Sequence, residues 1–201
     1  MQRGFTLAEL LTVVAIIGIL AAAASPSFVR LMRDRRVSDA AQQMADMYRG
    51  ARARAMGRGS AIVVRWNAAA SMPTQANPAG HLTMREAVLG SGVGALLPST
   101  SCAATSWLDT SATSRYVMAF DERRKRFEPS AAVFQTAQGG TLPYVEICYT
   151  PRGRTFIRYT AAGNFLPLAS VPRIQVANTT TALRRYIILP PNGVARLVTK
   201  I

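Results

Sequence analysis

The chain has few of the side chains that most often build catalytic and metal sites. Its 201 residues include a single histidine, His81, and two cysteines, Cys102 and Cys148. Neither cysteine has a partner at the short spacing of zinc ligands. No nucleophile elbow and no matched pair of carboxylates is present, and the glycine repeat at 90–94 lacks the strand and helix of a phosphate-binding loop. We therefore expect no enzymatic activity, no metal and no cofactor.

Acidic residues are also scarce, which leaves the chain strongly basic. There are 10 acidic residues against 24 basic ones, and the net charge is +14. Only Lys125 and Lys200 are lysines, so 22 of the 24 basic residues are arginines. Such a charge is typical of proteins that bind nucleic acid or acidic surfaces, but a GC-rich coding sequence produces the same excess of arginine and alanine. Basicity alone therefore indicates no particular partner.

A long apolar segment lies at the N-terminus, from Phe5 to Ala24, and its one charged residue is Glu9. At about 1.5 Å per residue, a helix of this length spans about 30 Å, the thickness of the hydrocarbon core of a bilayer. A carboxylate inside such a segment costs about 2.5–3.5 kcal/mol on insertion scales. The composition therefore predicts a membrane helix in which Glu9 has a special purpose.

Three interpretations of this segment compete. In a secretory signal peptide, the small residues at 22–24 would form the cleavage site, but a carboxylate early in the apolar region would serve no purpose. In a plain membrane anchor, Glu9 would reach towards the headgroups and the string at residues 4–9 would be a coincidence. The third interpretation accounts for the string and for the carboxylate together.

Residues 3–11, RGFTLAELL, resemble the signal of type IV prepilins and pseudopilins. The resemblance implies that a membrane-embedded prepilin peptidase cuts after Gly4 at the cytoplasmic face and N-methylates Phe5, the new N-terminus. It also implies that Glu9 pairs in the bilayer with the Phe5 amine of a neighbouring subunit. Such pairing would offset much of the cost of burying each charge, and so favours assembly with other pilins.

The resemblance also bears on the shape and orientation of the helix. Gly18 and Pro26 stand where pilins often loosen this helix inside a filament, and both residue types weaken helix interiors. A positive-inside count would place the C-terminal flank of the span in the cytoplasm, because the leader has one arginine and that flank has four: Arg30, Arg33, Arg35 and Arg36. The resemblance implies the opposite, a single-pass inner-membrane protein with its head in the periplasm.

Beyond the span, the sequence predicts an amphipathic stalk helix followed by a β-rich head. Apolar residues recur at three- and four-residue steps: Val37, Ala41, Met44, Tyr48, Ala51 and Ala55. Gly57 and Gly59 end the pattern. A first strand is predicted at Ala61–Trp66, and residues 67–114 are predicted to be largely irregular, with one or two short strands such as His81–Met84. Further strands are predicted at Arg115–Phe120, Tyr144–Thr150, Thr155–Tyr159, Arg173–Ala177, Arg184–Leu189 and Ala195–Thr199.

The predicted fold class is α+β, with one long N-terminal helix packed on an antiparallel sheet. The expected division is a leader at 1–4, a transmembrane helix half at 5–25, a stalk at 26–58 and a head at 59–201. Three stretches resemble the GspH/FimT family of minor pilins and pseudopilins: the end of the stalk with the first strand at residues 48–66, and two stretches of the head at 145–158 and 183–198. This resemblance implies a filament subunit near the tip, in either a type II secretion pseudopilus or a type IV pilus.

DNA binding is the alternative function. Some members of that family bind DNA through a Gly-Arg-x-Arg pattern in the closing hairpin, where this chain has Gly193 and Arg196 but one arginine fewer. A second candidate cluster is Arg152, Arg154 and Arg158, and a third is the run at 123–126. Such cations hold phosphates without reading sequence, although a solvated basic hairpin would have the same composition.

A disulfide between Cys102 and Cys148 is compatible with an oxidising periplasm. On the chain-entropy model, a loop of this size would stabilise the fold by about 4 kcal/mol when closed. The sequence does not determine whether the two thiols meet.

Overall fold

A computed structural model of the protein shows one long helix beside a head of antiparallel β-sheets. It describes residues 7–68, 81–90, 97–104, 106–108, 117–119, 130–178, 181 and 183–199. The predicted leader and the basic run at 123–126 lie outside the described residues. The α+β class predicted from the sequence is confirmed.

Helix α1 extends over Leu7–Arg58, 52 residues, or about 78 Å. It ends where Gly59 adopts a φ of 69°, a left-handed conformation that costs glycine little. The C-terminal half buries one face, as the three- and four-residue spacing predicted. All six predicted apolar positions are buried, with two further alanines: Val37, Ala40, Ala41, Met44, Ala45, Tyr48, Ala51 and Ala55.

The described residues contain thirteen strands, numbered in chain order. They are β1 Ile62–Asn67, β2 His81–Leu89, β3 Leu97–Pro98, β4 Ser106–Leu108, β5 Val117–Ala119, β6 Ser130–Gln135, β7 Thr141–Leu142, β8 Tyr144–Tyr149, β9 Thr155–Arg158, β10 Leu166–Pro167, β11 Arg173–Asn178, β12 Arg184–Ile188 and β13 Arg196–Val198.

These strands form two antiparallel sheets. The first has the order β10-β9-β8-β1-β2-β3, with β4 and β5 also paired to β2, and the second has the order β13-β12-β11-β6-β7. Helix α1 contacts β1 and β8 of the first sheet and β6, β11, β12 and β13 of the second. One helix face thus packs against both sheets.

The main core lies between α1 and the two sheets. Alternate residues of β1 point towards the helix, and Trp66 and Val64 join Met44 and Tyr48 there, with Phe134 from the second sheet. The opposite face of the first sheet, called the outer face below, carries a smaller apolar cluster: Ala61, Val63, Ala87, Cys102 and Cys148. Successive side chains of a strand point to opposite faces of the sheet, so alternate residues pack against the stalk helix and the residues between them line the outer face.

The prediction of one antiparallel sheet was wrong in number, because the strands of the described residues form two. Strand β6, which lies between β11 and β7 in the second sheet, was not predicted, since its Ala-Ala-Val stretch shows no clear alternation of apolar and polar residues. It pairs with β11 over six residues, from Arg173 opposite Gln135 to Asn178 opposite Ser130. Long-range pairing therefore creates a strand that local pattern does not indicate.

The individual strand predictions agree with the structure in most places. The predicted strands at 61–66, 144–150, 155–159, 173–177, 184–189 and 195–199 correspond to β1, β8, β9, β11, β12 and β13, and β5 lies inside the predicted strand at 115–120. The described part of the region at 67–114 is more regular than expected, because β2 has nine residues and pairs with β1, β3, β4 and β5.

Candidate functional site

The N-terminal half of α1 is an apolar surface that the head does not cover. Every residue from Leu7 to Arg33 is exposed. By length and composition, this helix is capable of crossing a membrane. The uncharged run after Glu9 extends from Leu10 to Val29, twenty residues, or about 30 Å. An apolar surface of this size indicates contact with a membrane or with other protein chains.

The predicted residues of this half occupy a regular helix. Glu9 is exposed in the first turn, and its backbone carbonyl accepts a 2.9 Å hydrogen bond from the Thr12 hydroxyl. The helix continues through Gly18 and Pro26, and no atom lies within 4 Å of the position that a side-chain carbon at Gly18 would take. Gly4 and Phe5, the predicted cleavage and methylation site, lie outside the described residues.

The head is attached to α1 just beyond the apolar run. Asp34 accepts hydrogen bonds from the Asn178 amide at 3.1 Å and the Thr181 hydroxyl at 2.9 Å. The first fully buried residue of the helix, Val37, follows one turn later. This contact places one end of the second sheet close to the end of the apolar run.

Two arginines near the C-terminal end of α1 hold the closing hairpin. The Arg52 guanidinium donates to the backbone carbonyls of Asn192 and Gly193, both at 3.1 Å. One turn earlier, Arg49 donates to the carbonyl of Ala195 at 2.9 Å. The Arg52 guanidinium also lies near Gly153, 3.4 Å from the position that a side-chain carbon there would occupy. The β8–β9 and β12–β13 turns are therefore neighbours at this end of the head.

A buried carboxylate links three neighbouring strands of the first sheet. Glu146 on β8 stands opposite Arg65 on β1 and Arg158 on β9. Its side chain is 0% exposed, and it accepts hydrogen bonds from both guanidiniums and a 2.7 Å bond from the Tyr144 hydroxyl. The two arginines also rest on aromatic rings, Arg65 over Tyr144 at 5.7 Å and Arg158 over Phe165 at 4.4 Å.

The charges of this network shift the pKa values of its members. Burial raises the pKa of Glu146, but the hydrogen bonds from Arg158 and Tyr144 and the charge of Arg65 outweigh it, so the pKa lies below its ordinary value. Burial and the hydrogen bond to Glu146 raise the pKa of Tyr144 to about 12. Glu146 is therefore ionised and Tyr144 protonated at neutral pH.

Cys102 and Cys148 form a disulfide in the structure, with their Cα atoms 6.0 Å apart. Cys148 lies on the outer face of β8, so the bond ties the segment around residue 102 down onto that face. Ser99 and Ser101 order the same segment, because their hydroxyls accept hydrogen bonds from the amides of Ser101 and Ala103. The disulfide thereby positions one wall of a surface cleft.

The predicted DNA-contacting arginines do not form one site. Arg152, Arg154 and Arg158 line a cleft of about 880 Å³ on the outer face of the first sheet. Arg158 is committed to Glu146, whereas Arg152 and Arg154 are exposed at the β8–β9 turn. Arg196 is exposed on β13, the edge strand of the second sheet, and is not among the described residues that line the cleft.

Sequence reasoning missed Glu146 and the helix arginines that hold the hairpin. A signal for Glu146 is present, since it is the one charged residue in the otherwise apolar strand Tyr144–Tyr149. A carboxylate at such a position requires a partner, and the neighbouring strands each carry an arginine. No comparable signal marks Arg52, because arginines occur throughout this chain and its acceptors are backbone carbonyls 140 and 141 residues away.

Comparison with known proteins gives one informative match. Residues 1–25 match the family model described as the prokaryotic N-terminal methylation motif. No curated protein matches the sequence. Among solved structures, the chain is similar to the type IV minor pilin FimU of Pseudomonas aeruginosa, with 12% identity, a TM-score of 0.43, and coverage of 82% of this chain and 89% of that chain. A TM-score of this size does not establish a shared fold, so the N-terminal motif is the finding that bears on identity.

Proposed function

We propose that this chain, a type IV pilin-like protein by its N-terminal methylation motif, is a minor pilin or pseudopilin subunit of a helical filament. The observation that carries the proposal is the motif joined to an uncovered apolar helix half, residues 7–29. A structural subunit of this kind needs an anchor before assembly and a packing surface after it. One exposed apolar helix is suited to both environments.

The dimensions of the helix support the membrane part of this proposal. The uncharged run after Glu9 matches about 30 Å of hydrocarbon and ends at Arg30, whose guanidinium would lie among the headgroups. Asp34 holds the head only about 6 Å further along the axis. In the proposed arrangement the subunit spans the inner membrane once, with the head in the periplasm directly above the bilayer.

The proposed processing and assembly steps involve three residues. Prepilin peptidase would cut after Gly4 and methylate Phe5, and the new amine would pair with Glu9 of a neighbouring subunit. An ionised carboxylate in hydrocarbon is costly unless it is paired, so this pairing would favour moving the helix from lipid into the filament. Gly18 and Pro26 would let the helix loosen there.

The identity of the N-terminus tests this proposal. The full chain is co-expressed with a prepilin peptidase, and the membrane fraction is analysed by mass spectrometry of the intact protein. The expected product begins with N-methylated Phe5, and a Gly4→Leu variant keeps its leader because the bulkier side chain blocks cleavage. A product that begins at Ser25 would instead identify a signal peptide, and an uncut chain beside an active peptidase would refute the proposal.

Filament entry tests the role of Glu9 separately from processing. Glu9→Ala is expected to be cleaved normally but to be depleted from sheared filaments, whereas Thr12→Ala, one helical turn away, is expected to enter as the parent does. Equal amounts of the Glu9→Ala and parent chains in the filament fraction would refute the pairing role.

The type of filament is a finer part of the proposal. The resemblance of the head to GspH/FimT proteins favours a type II secretion pseudopilus or a type IV pilus, and the chain would act near the tip rather than as the bulk subunit. Deleting the gene in its own host and measuring secreted enzymes and surface pili separately distinguishes the two. Loss of secretion alone identifies the pseudopilus, and loss of pili alone identifies the pilus.

DNA uptake is a second candidate, favoured by the two exposed arginines of the β8–β9 turn. It is the weaker candidate, because Arg158 is paired with Glu146 and Arg196 lies on the other sheet. A mobility-shift assay with the full chain in detergent tests it. The absence of any shift at low salt, where phosphate contacts are strongest, would exclude it.

A further inference from the structure

The outer-face cleft has the properties of a binding site that the proposed filament role does not use. It measures about 880 Å³, which is within the range of ligand pockets in proteins. Its walls come from three parts of the chain: strand β9 with the turn before it, the segment at 162–165 after β9, and the segment that the disulfide ties down at Cys102. It lies on the side of the first sheet opposite α1, so a ligand there would not compete with the packing of the stalk.

One wall of the cleft is an alternating row of basic and aromatic side chains. Arg154, Phe156 and Arg158 are two residues apart, so they project from the same face of the strand. Arg158 is held in place by Glu146, by the Gly163 carbonyl at 3.3 Å and by the Phe165 ring. A guanidinium fixed in this way loses little freedom when a ligand binds.

The rim of the cleft carries positive charge that the described residues leave unbalanced. Arg152 and Arg154 are exposed, and their guanidiniums contact no acidic group within the described residues. Of the carboxylates in the described part of the chain, Glu146 is the one paired with a lining residue, and it is shared between Arg158 and Arg65. The cleft therefore favours an anionic ligand that places two acidic groups at the rim.

The aromatic rings of the cleft argue against a nucleic-acid strand. Single strands bind by stacking bases on open aromatic faces. Here the Arg158 guanidinium covers one face of Phe165, Trp107 packs at 6.4 Å from the same ring, and Phe156 packs against the small apolar cluster. Carboxylates need no such platform, because a guanidinium binds them in a bidentate manner.

We propose that this cleft binds an acidic segment of a partner polypeptide, with aspartate or glutamate carboxylates on Arg152 and Arg154. A second copy of this chain is a poor partner, because its net charge of +14 would repel the cleft. The partner is therefore a different protein. The binding of an acidic segment does not depend on the proposed function. The further step, that the partner is another subunit of the same filament, rests on the proposed function.

Fluorescence anisotropy tests the proposal with the full chain in non-ionic detergent. The probes are fluorescein-labelled hexaglutamate and a labelled hexathymidylate of similar charge, at about 0.15 M salt. Arg152→Gln/Arg154→Gln is expected to weaken hexaglutamate binding about tenfold, because charge-assisted hydrogen bonds are lost. The matched control, Arg184→Gln/Arg185→Gln, removes two arginines from β12 and is expected to bind as the parent does.

A second variant releases the opposite wall of the cleft from the sheet without changing the net charge of the protein. Cys102→Ser/Cys148→Ser is expected to weaken hexaglutamate binding severalfold, because the segment around residue 102 is no longer tied to the sheet. Equal losses in the two arginine pairs would show non-specific attraction and overturn the proposal. Tighter binding of hexathymidylate that depends on Arg152 and Arg154 would overturn it in favour of nucleic acid. Failure here leaves the N-terminal processing result unchanged, so this proposal and the filament role are tested independently.

Discussion

Replacing the buried carboxylate Glu146 with glutamine tests what holds the first sheet together. Glutamine has nearly the same shape, so the substitution removes the charge and leaves Arg65 and Arg158 without their counter-ion. The side chains of these two arginines are only 22% and 15% exposed, so water restores little of the lost interaction. Removing one partner of a buried ion pair typically costs about 3–5 kcal/mol, and the partial exposure of the arginines places this case near 3 kcal/mol.

The measurement is urea or thermal unfolding of the full chain in detergent, followed by tryptophan fluorescence. Of the two tryptophans, Trp66 is buried in the main core. A loss of about 3 kcal/mol in the free energy of unfolding corresponds to a melting temperature lower by about 6–12 °C for a chain of this size. The matched control is Glu86→Gln. Glu86 is 17% exposed and pairs with Arg58, which is 62% exposed. Glutamine keeps an oxygen that can accept the hydrogen bond from the Ser60 hydroxyl, so the change removes only an ion pair with an exposed partner and is expected to cost about 1 kcal/mol.

A third variant separates the charge network from simple packing. Arg65→Met/Glu146→Leu/Arg158→Met removes all three charges together, and it is expected to regain most of the lost stability because no unpaired charge stays buried. Equal melting temperatures for Glu146→Gln and Glu86→Gln would refute the structural role of the network. A triple variant as unstable as Glu146→Gln would show that the loss comes from shape rather than from charge.

Three further predictions concern the head. Because the pKa of folded Glu146 lies below its ordinary value, the contribution of Glu146 to the free energy of unfolding is fully present above about pH 4.3. This contribution is lost as the pH falls through the lowered pKa, and in urea titrations the loss is expected in the parent and absent in Glu146→Gln. Replacing Cys102 and Cys148 with serine, which opens a loop of sequence separation 46, is expected to cost about 4 kcal/mol on the chain-entropy model, and a reducing agent is expected to lower the parent's melting temperature but not the variant's. Arg52→Ala removes two hydrogen bonds to backbone carbonyls and is expected to cost about 2 kcal/mol with faster amide exchange at the β12–β13 turn, whereas faster exchange throughout the head would contradict this local role.

Local patterns were sufficient for the elements whose formation depends on neighbouring residues. The apolar run, the three- and four-residue spacing of the stalk and the strand patterns at 144–150 and 155–159 are all readable within a few positions. They predicted α1, its buried face and the strands β8 and β9, which the structure contains. The buried face of such a helix can be predicted from the spacing of its apolar residues alone, because residues at this spacing lie on one side of the helix and pack against the same core.

The division of the head into two sheets depended on pairing between distant residues. Strand β6 has little pattern of its own and exists because β11 and β7 pair with it on either side. The disulfide likewise required the segment at Cys102 to lie over Cys148, which no feature of either cysteine's neighbours indicates. Pairings of this type are energetic outcomes of the whole fold and are not encoded in short windows.

The sequence by itself determined the N-terminal motif, the apolar helix half and the amphipathic stalk, since each is a property of consecutive residues. Only the tertiary structure decided what the arginines do. Strand register places Arg158 opposite Glu146 and commits it to a buried pair, while the turn leaves Arg152 and Arg154 at the rim of a cleft. Three arginines within seven residues of one hairpin look alike in sequence. They differ in the fold because the neighbouring strand places a carboxylate beside Arg158 and none beside the two arginines of the turn.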